Sequence, residues 1–182
     1  MITHRTVILL SVVGIAATAG CATVNPRLDY ERVGQLVAET TGQESLYQPG
    51  NNKRMAERLD ELLRDGITVD EAVQVCLLNN PTLQAAFMDI GMARADVVQS
   101  GLLSNPSLGI ALQFPSGGGL ANLESGLAQN IADLWQIPIR KRAAERSLDQ
   151  AILAVARQAA DLAADTKVAY YEAVGADERL RI

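Results

Sequence analysis

Asn105-Pro106-Ser107-Leu108-Gly109-Ile110-Ala111-Leu112-Gln113-Phe114, followed by Pro115-Ser116-Gly117-Gly118-Gly119, decides how this chain is read. Leu108, Ile110, Leu112 and Phe114 alternate with Ser107, Gly109, Ala111 and Gln113. Successive side chains of a strand point to opposite faces, so this stretch has one large apolar face and one small, polar face. Such a strand suits a barrel wall between lipid and a watery lumen, and its length matches the roughly 9–11 residues of a tilted membrane strand. It suits equally a half-buried strand of a soluble sheet, and the segment alone does not choose. The Gly-rich run is a flexible turn. A weaker second strand is expected from Leu123 to Leu134, with Leu123, Leu127 and Ile131 on one face and Ser125 and Gln129 interrupting it. Two strands are marginal alone, and open edges in lipid are costly, so further strands must close any barrel.

Working outward, helices flank this pair. Asp29 is expected to cap a short helix carrying Val33, Leu36 and Val37 and ending near Thr41-Gly42. A loop follows, and then a helix over 53–65 with Met55, Leu59, Leu62 and Leu63 on one side and Gly66 as its stop. Thr68-Val69-Asp70-Glu71 fits a capping box, in which Thr68 caps and Glu71 reaches back. That helix runs to Asn79-Asn80, where Pro81 cannot continue the ladder but suits the first position of a new helix capped by Asn80. The new helix is expected to reach about Leu103, with Leu83, Phe87, Ile90, Val97 and Val98 inward, so that two helices abut as a jointed rod. After the strands, Trp135 and Pro138 mark the exit, and an Ala-rich helix is expected from Ile139 onward. Leu148, Ala151, Ile152, Val155, Ala159, Leu162, Thr166 and Tyr170 recur at steps of three and four, a coiled-coil-like seam. This helix holds too many charges to cross a membrane, and at Leu180-Arg181-Ile182 it reads as cut mid-course, part of a longer chain.

The N-terminus reads as an address. Met1 to Arg5 is weakly basic, and Thr6 to Ala19 is apolar but too short to span a bilayer as a helix. Thr18-Ala19-Gly20-Cys21 resembles the lipobox of bacterial lipoproteins, with Cys21 the lipidated residue and 1–20 the signal peptide; a plain signal peptide cut near Ala19 is the alternative. The resemblance, with Ala22 after the Cys, implies the outer rather than the inner membrane. Several acyl chains would hold the chain there firmly.

Composition narrows the function. Among 182 residues, 16 Lys+Arg stand against 21 Asp+Glu, a net charge of −5, which argues against nucleic acid as a partner. Hydrophobic residues make up 48% but aromatics only 4%, favouring closely packed helices. The single His, His4, lies in the expected signal peptide, so the mature chain offers no His triad, His-ligated zinc or His switch. Two Cys make no disulfide framework. No cofactor, metal or catalytic constellation is expected.

Taken in order, these pieces resemble the first repeat of an outer-membrane efflux protein of the TolC family. The resemblance rests on Thr68-Val69-Asp70-Glu71-Ala72, Asn79-Asn80-Pro81-Thr82-Leu83, Ala93-Arg94-Ala95 and Gly101-Leu102-Leu103-Ser104-Asn105-Pro106-Ser107-Leu108. Leu127-Ala128-Gln129-Asn130-Ile131, Arg140-Lys141-Arg142-Ala143-Ala144 and Ala169-Tyr170-Tyr171-Glu172-Ala173 complete it, over about 67–182. It implies a mainly α fold with a β-hairpin: long coiled-coil-like helices plus two membrane barrel strands, half of the family's two repeats. The implied organisation is a tether with peripheral helices over 21–66, periplasmic helices over 67–105, the outer-membrane strand pair over 106–134 and a long periplasmic helix over 135–182. The implied function is a passive export duct in the outer membrane. It is a homotrimer when full length, joined through a periplasmic adaptor protein to an inner-membrane RND-type pump. The competing reading is a lipid-anchored periplasmic coiled-coil scaffold.

The expected site residues follow. Leu108, Ile110, Leu112 and Phe114 face lipid; Ser107, Gly109, Ala111 and Gln113 face the lumen. Trp135 anchors at the membrane interface. Arg140, Lys141 and Arg142 open a helix, where cations oppose the macrodipole and need compensation, either from lipid phosphate or from solvent. Cys76 is expected to be a buried small hydrophobe. Met88 and Met92 are expected to be core or seam residues rather than a thioether pair for a soft metal. Tyr170 and Tyr171 are expected to pack, and Asp161 and Asp165 to lie on a solvated face.

Overall fold

The computed structural model describes residues 22–64, 66–114 and 121–181. The expected signal peptide, Cys21, Asp65 and the turn at 115–120 lie outside the described residues. The chain is mainly helical with one two-stranded antiparallel sheet. Its elements are α1 Arg27–Thr41, α2 Asn52–Leu62, α3 Val69–Asn79, α4 Pro81–Ser100, β1 Ser107–Gln113, β2 Asn122–Ala128 and α5 Asp133–Leu180. At 1.5 Å per residue, the 48 residues of α5 make a mast about 72 Å long.

The jointed rod forms as its caps dictate. The Thr68 hydroxyl accepts from the Glu71 N–H, while Glu71 accepts from the Thr68 N–H at 2.9 Å. The Asn80 side chain accepts from the N–H groups of Thr82 and Leu83 at 2.9 and 3.0 Å, with Pro81 opening α4. The carboxyl of Glu71 is held below the usual glutamate range, first by the Thr68 backbone, then by its hydroxyl, with Arg58 adding to both. The rod runs antiparallel to α5: Gly101 lies beside Lys141 at one end, and the Tyr170 hydroxyl donates to the Ile67 carbonyl at the other.

α1 completes the bundle. The core joins Val33 and Val37 of α1, Val73 and Leu77 of α3, Leu83, Phe87, Ile90 and Val97 of α4, and Leu148, Ile152, Val155, Ala159 and Ala163 of α5. Phe87 is its hub, tilted against Tyr30 and edge-on to Tyr47 at ring separations of 5.8 and 5.6 Å. Gly91 permits this approach, since a Cβ there would sit 3.0 Å from the Tyr30 hydroxyl. Gly42, at φ 74°, ends α1 in the left-handed conformation.

Several expectations need correction. Asp29 does not cap α1. It lies within the first turn, buried, and takes a two-pronged ion pair from Arg94, with Nε and Nη2 at 2.7 and 2.5 Å. That gives the Ala93-Arg94-Ala95 stretch a role: Asp29's hydrogen bonds hold Arg94 firmly charged and pin α1 to α4. α2 stops at Leu62, leaving Leu63 exposed. α4 stops at Ser100, because the Gly101 and Leu102 N–H groups fold back on Val98 and Gln99. β2 ends at Ala128, six residues early, and α5 starts at Asp133 with Trp135 and Pro138 inside it. Pro138, past the first turn, lacks the N–H that would meet the Leu134 carbonyl, and the helix continues across that one missing bond. The 134/135 boundary therefore falls within a helix. Cys76 is half-buried, and Met88 and Met92 are exposed on the outer face of α4. Tyr171 is exposed, resting edge-on against half-buried Tyr170. Asp161 and Asp165 are exposed, as expected of a solvated face.

Candidate functional site

The hairpin stands apart from the core. β1 and β2 pair from Ser107↔Ala128 to Gln113↔Asn122, with Ile110 opposite Ser125. This register puts Leu108, Ile110 and Leu112 on one face with Leu127, Ser125 and Leu123, and Phe114 continues it. Ser107, Gly109, Ala111 and Gln113 share the other face with Ala128, Gly126, Glu124 and Asn122. The sequence alternation of β1 is thus matched by β2, and one slip in register would have mixed the faces. Every described strand residue is exposed, and none belongs to the hydrophobic core. The six large apolar side chains of the hairpin are 54–74% exposed.

The apolar surface continues past the strands. Ile131, Leu134, Trp135 and Ile139 are all exposed, and Trp135 stays 68% exposed despite its size. Among the described residues, no helix is long and apolar enough to cross a membrane. Exposed large hydrophobic side chains thus follow one another along the hairpin and the head of α5, while others, among them Met92, Leu153 and Val168, are spread over the helices.

A buried carboxylate fixes the base of the hairpin. Asp133, the first residue of α5, has a side chain only 2% exposed. Its Oδ2 accepts from the Ser104 N–H at 2.7 Å and the Ser104 hydroxyl at 2.5 Å, and its Oδ1 accepts from Arg140 Nη2 at 3.1 Å. Gln129 Nε2 donates to the Ser104 carbonyl at 2.9 Å. Ser104, three residues before β1, Gln129, the residue after β2, and the first turns of α5 are thus tied in one knot. This clamp escaped the sequence reading, because its hydrogen-bonded partners lie up to 29 residues apart and carry no local pattern.

The basic run divides accordingly. Because α5 starts at Asp133, Arg140 is not at the helix end, and its charge is met by Asp133 rather than needing lipid. Lys141 and Arg142 point to solvent and form no ion pair among the described residues. Among the described residues no group of His, Cys, Asp and Glu is arranged to hold a metal ion. Cys21, the expected lipidation residue, lies outside the described residues.

Compared with protein-family models, curated proteins and solved structures, the chain matches none.

Proposed function

We propose that this chain supplies a hairpin to a β-barrel in the outer membrane and its helices to the wall of a periplasmic duct, as in the TolC family it resembles. Further strands close the barrel, which is that of a homotrimer when the chain is full length. The duct is passive and joins a periplasmic adaptor to an inner-membrane RND-type pump that supplies the energy. Lipidated Cys21 adds a second attachment to the same membrane.

One observation carries this reading: both faces of the hairpin are open, and they are chemically opposite. Burying a Leu, Ile or Phe side chain stabilises by about 1.5–3 kcal/mol, so six that are largely exposed forgo on the order of 10 kcal/mol. Lipid recovers that energy on one face, while the small, polar face suits a wet lumen. A soluble sheet would instead pack its apolar face on the helices, and here the core excludes it. The Asp133 knot supports the reading too, because it sets the angle at which a stiff α5 leaves the hairpin.

Protease treatment of outer membranes tests it. The duct predicts that 106–134 is protected and that the oligomer survives detergent until heated. Cleavage within 106–134 in intact membranes, with only monomer on gels, would replace the duct with the scaffold lipoprotein.

A further inference from the structure

Below Trp135, one face of α5 has no partner among the described residues. Trp135, Ile139, Arg142 and Arg146 recur at steps of four, three and four residues, so they share a single stripe along the helix. Arg142 and Arg146 lie about 10 and 16 Å along the axis from Trp135 and roughly 5–6 Å from each other at Cβ. They border an open groove of about 430 Å³ lined by Ile139, Arg142, Ala143, Arg146, Ser147 and Gln150. Neither arginine forms an ion pair among the described residues.

The acids nearby are engaged elsewhere. Asp149 is held by Arg32 at 2.6 Å, and Glu145 lies toward Arg94, on whose charge it acts. Arg140 is taken by Asp133. The stripe therefore passes from an exposed indole, through an exposed isoleucine, to two guanidinium groups with uncompensated charge and hydroxyl and amide groups beside them.

We infer that this groove binds the headgroup of an anionic phospholipid of the adjoining leaflet, with its phosphate between Arg142 and Arg146 and its acyl chains along Ile139 and Trp135. The inference rests on the membrane placement proposed above and names the lipid that this boundary takes. Two guanidinium groups one helical turn apart match the oxygens of one phosphate diester. The order of apolar and basic groups along the stripe matches the order of chains and phosphate in a lipid.

Trp135 is the chain's single tryptophan, so its fluorescence reports this boundary alone. The full chain is placed in mixed phosphatidylcholine and phosphatidylglycerol vesicles in which one lipid or the other carries brominated, quenching chains. The parent should favour phosphatidylglycerol beside Trp135 on the order of 30-fold, a factor of about five per arginine. R142Q/R146Q should fall to within about twofold of no preference while Trp135 remains quenched, so the loss reports the headgroup and not the fold. The charge-matched K141Q/K167Q should lose less than about fivefold, since Lys141 lies off the stripe and Lys167 lies far along α5. Equal quenching by both lipids in the parent, or unchanged preference in R142Q/R146Q, would overturn the inference and leave the membrane hairpin standing. Loss of the preference on adding millimolar inorganic phosphate would also overturn it, showing a site for free anions. Cross-linking between protomers through S147C would overturn it by placing a second copy in the groove. No quenching by either lipid would remove the membrane placement itself.

Discussion

Removing Arg94 should destabilise the bundle more than removing any exposed arginine. Asp29 is 7% exposed and Arg94 29%, and the two meet through two hydrogen bonds. Breaking a fully buried ion pair from one side costs about 3–5 kcal/mol, because a charge is left without a partner. Water reaches part of Arg94, so R94M should cost about 2–3 kcal/mol. With a urea dependence of about 2 kcal/mol per molar, the midpoint of helix loss by circular dichroism should fall by about 1–1.5 M. R157M removes the exposed partner of Asp161, 3.7 Å away, and should cost less than about 0.5 kcal/mol. D29L/R94M, which removes both charges, should recover most of the loss, as replacing both partners by apolar groups often does. The reasoning is refuted if R94M shifts the midpoint no further than R157M.

Three other outcomes follow from the same geometry. N80A leaves the Thr82 and Leu83 N–H groups without their acceptor and should cost about 1 kcal/mol in the same urea titration. The Glu71 carboxyl, lowered in the folded state, contributes stability that is present above its unfolded value of about 4.3 and lost as pH falls through the folded value. The Thr68 amide proton resonance should therefore titrate with a midpoint below about 4.3 and become insensitive to acid in E71Q. I110R should weaken folding into bilayers by about 2–4 kcal/mol, measured as the heat-modifiable fraction on gels, whereas A111R, one residue along on the opposite face, should cost little.

How much was legible depended on the range of the interaction. The Thr68 and Asn80 caps are written within four residues, and both form. The period-two pattern of β1 and the three-and-four seam of α5 also survive, because each depends only on which side of one element is apolar. The ends of elements were less legible. Pro138 reads as a boundary, yet at the sixth position of α5 it removes one ladder bond and the helix runs through it. The Asp29–Arg94 pair and the Asp133 knot were invisible, since their members are 65 and 29 residues apart and meet only once the bundle assembles. Asp29 shows the difficulty well: an acid at a helix start suits a cap, but here burial against α4 gave it a stronger partner. Likewise Arg140, Lys141 and Arg142 form one run in the sequence, while the helix turns Arg140 toward Asp133 and leaves its neighbours exposed.

Spin labels placed in turn at 107–113 in membrane-embedded chain test the central claim most directly. Collision with oxygen, which concentrates in hydrocarbon, and with a water-soluble nickel chelate should alternate residue by residue. Leu108, Ile110 and Leu112 should report lipid, and Ser107, Gly109, Ala111 and Gln113 should report water. Uniform access to the nickel chelate across all seven positions would show that the hairpin never enters lipid.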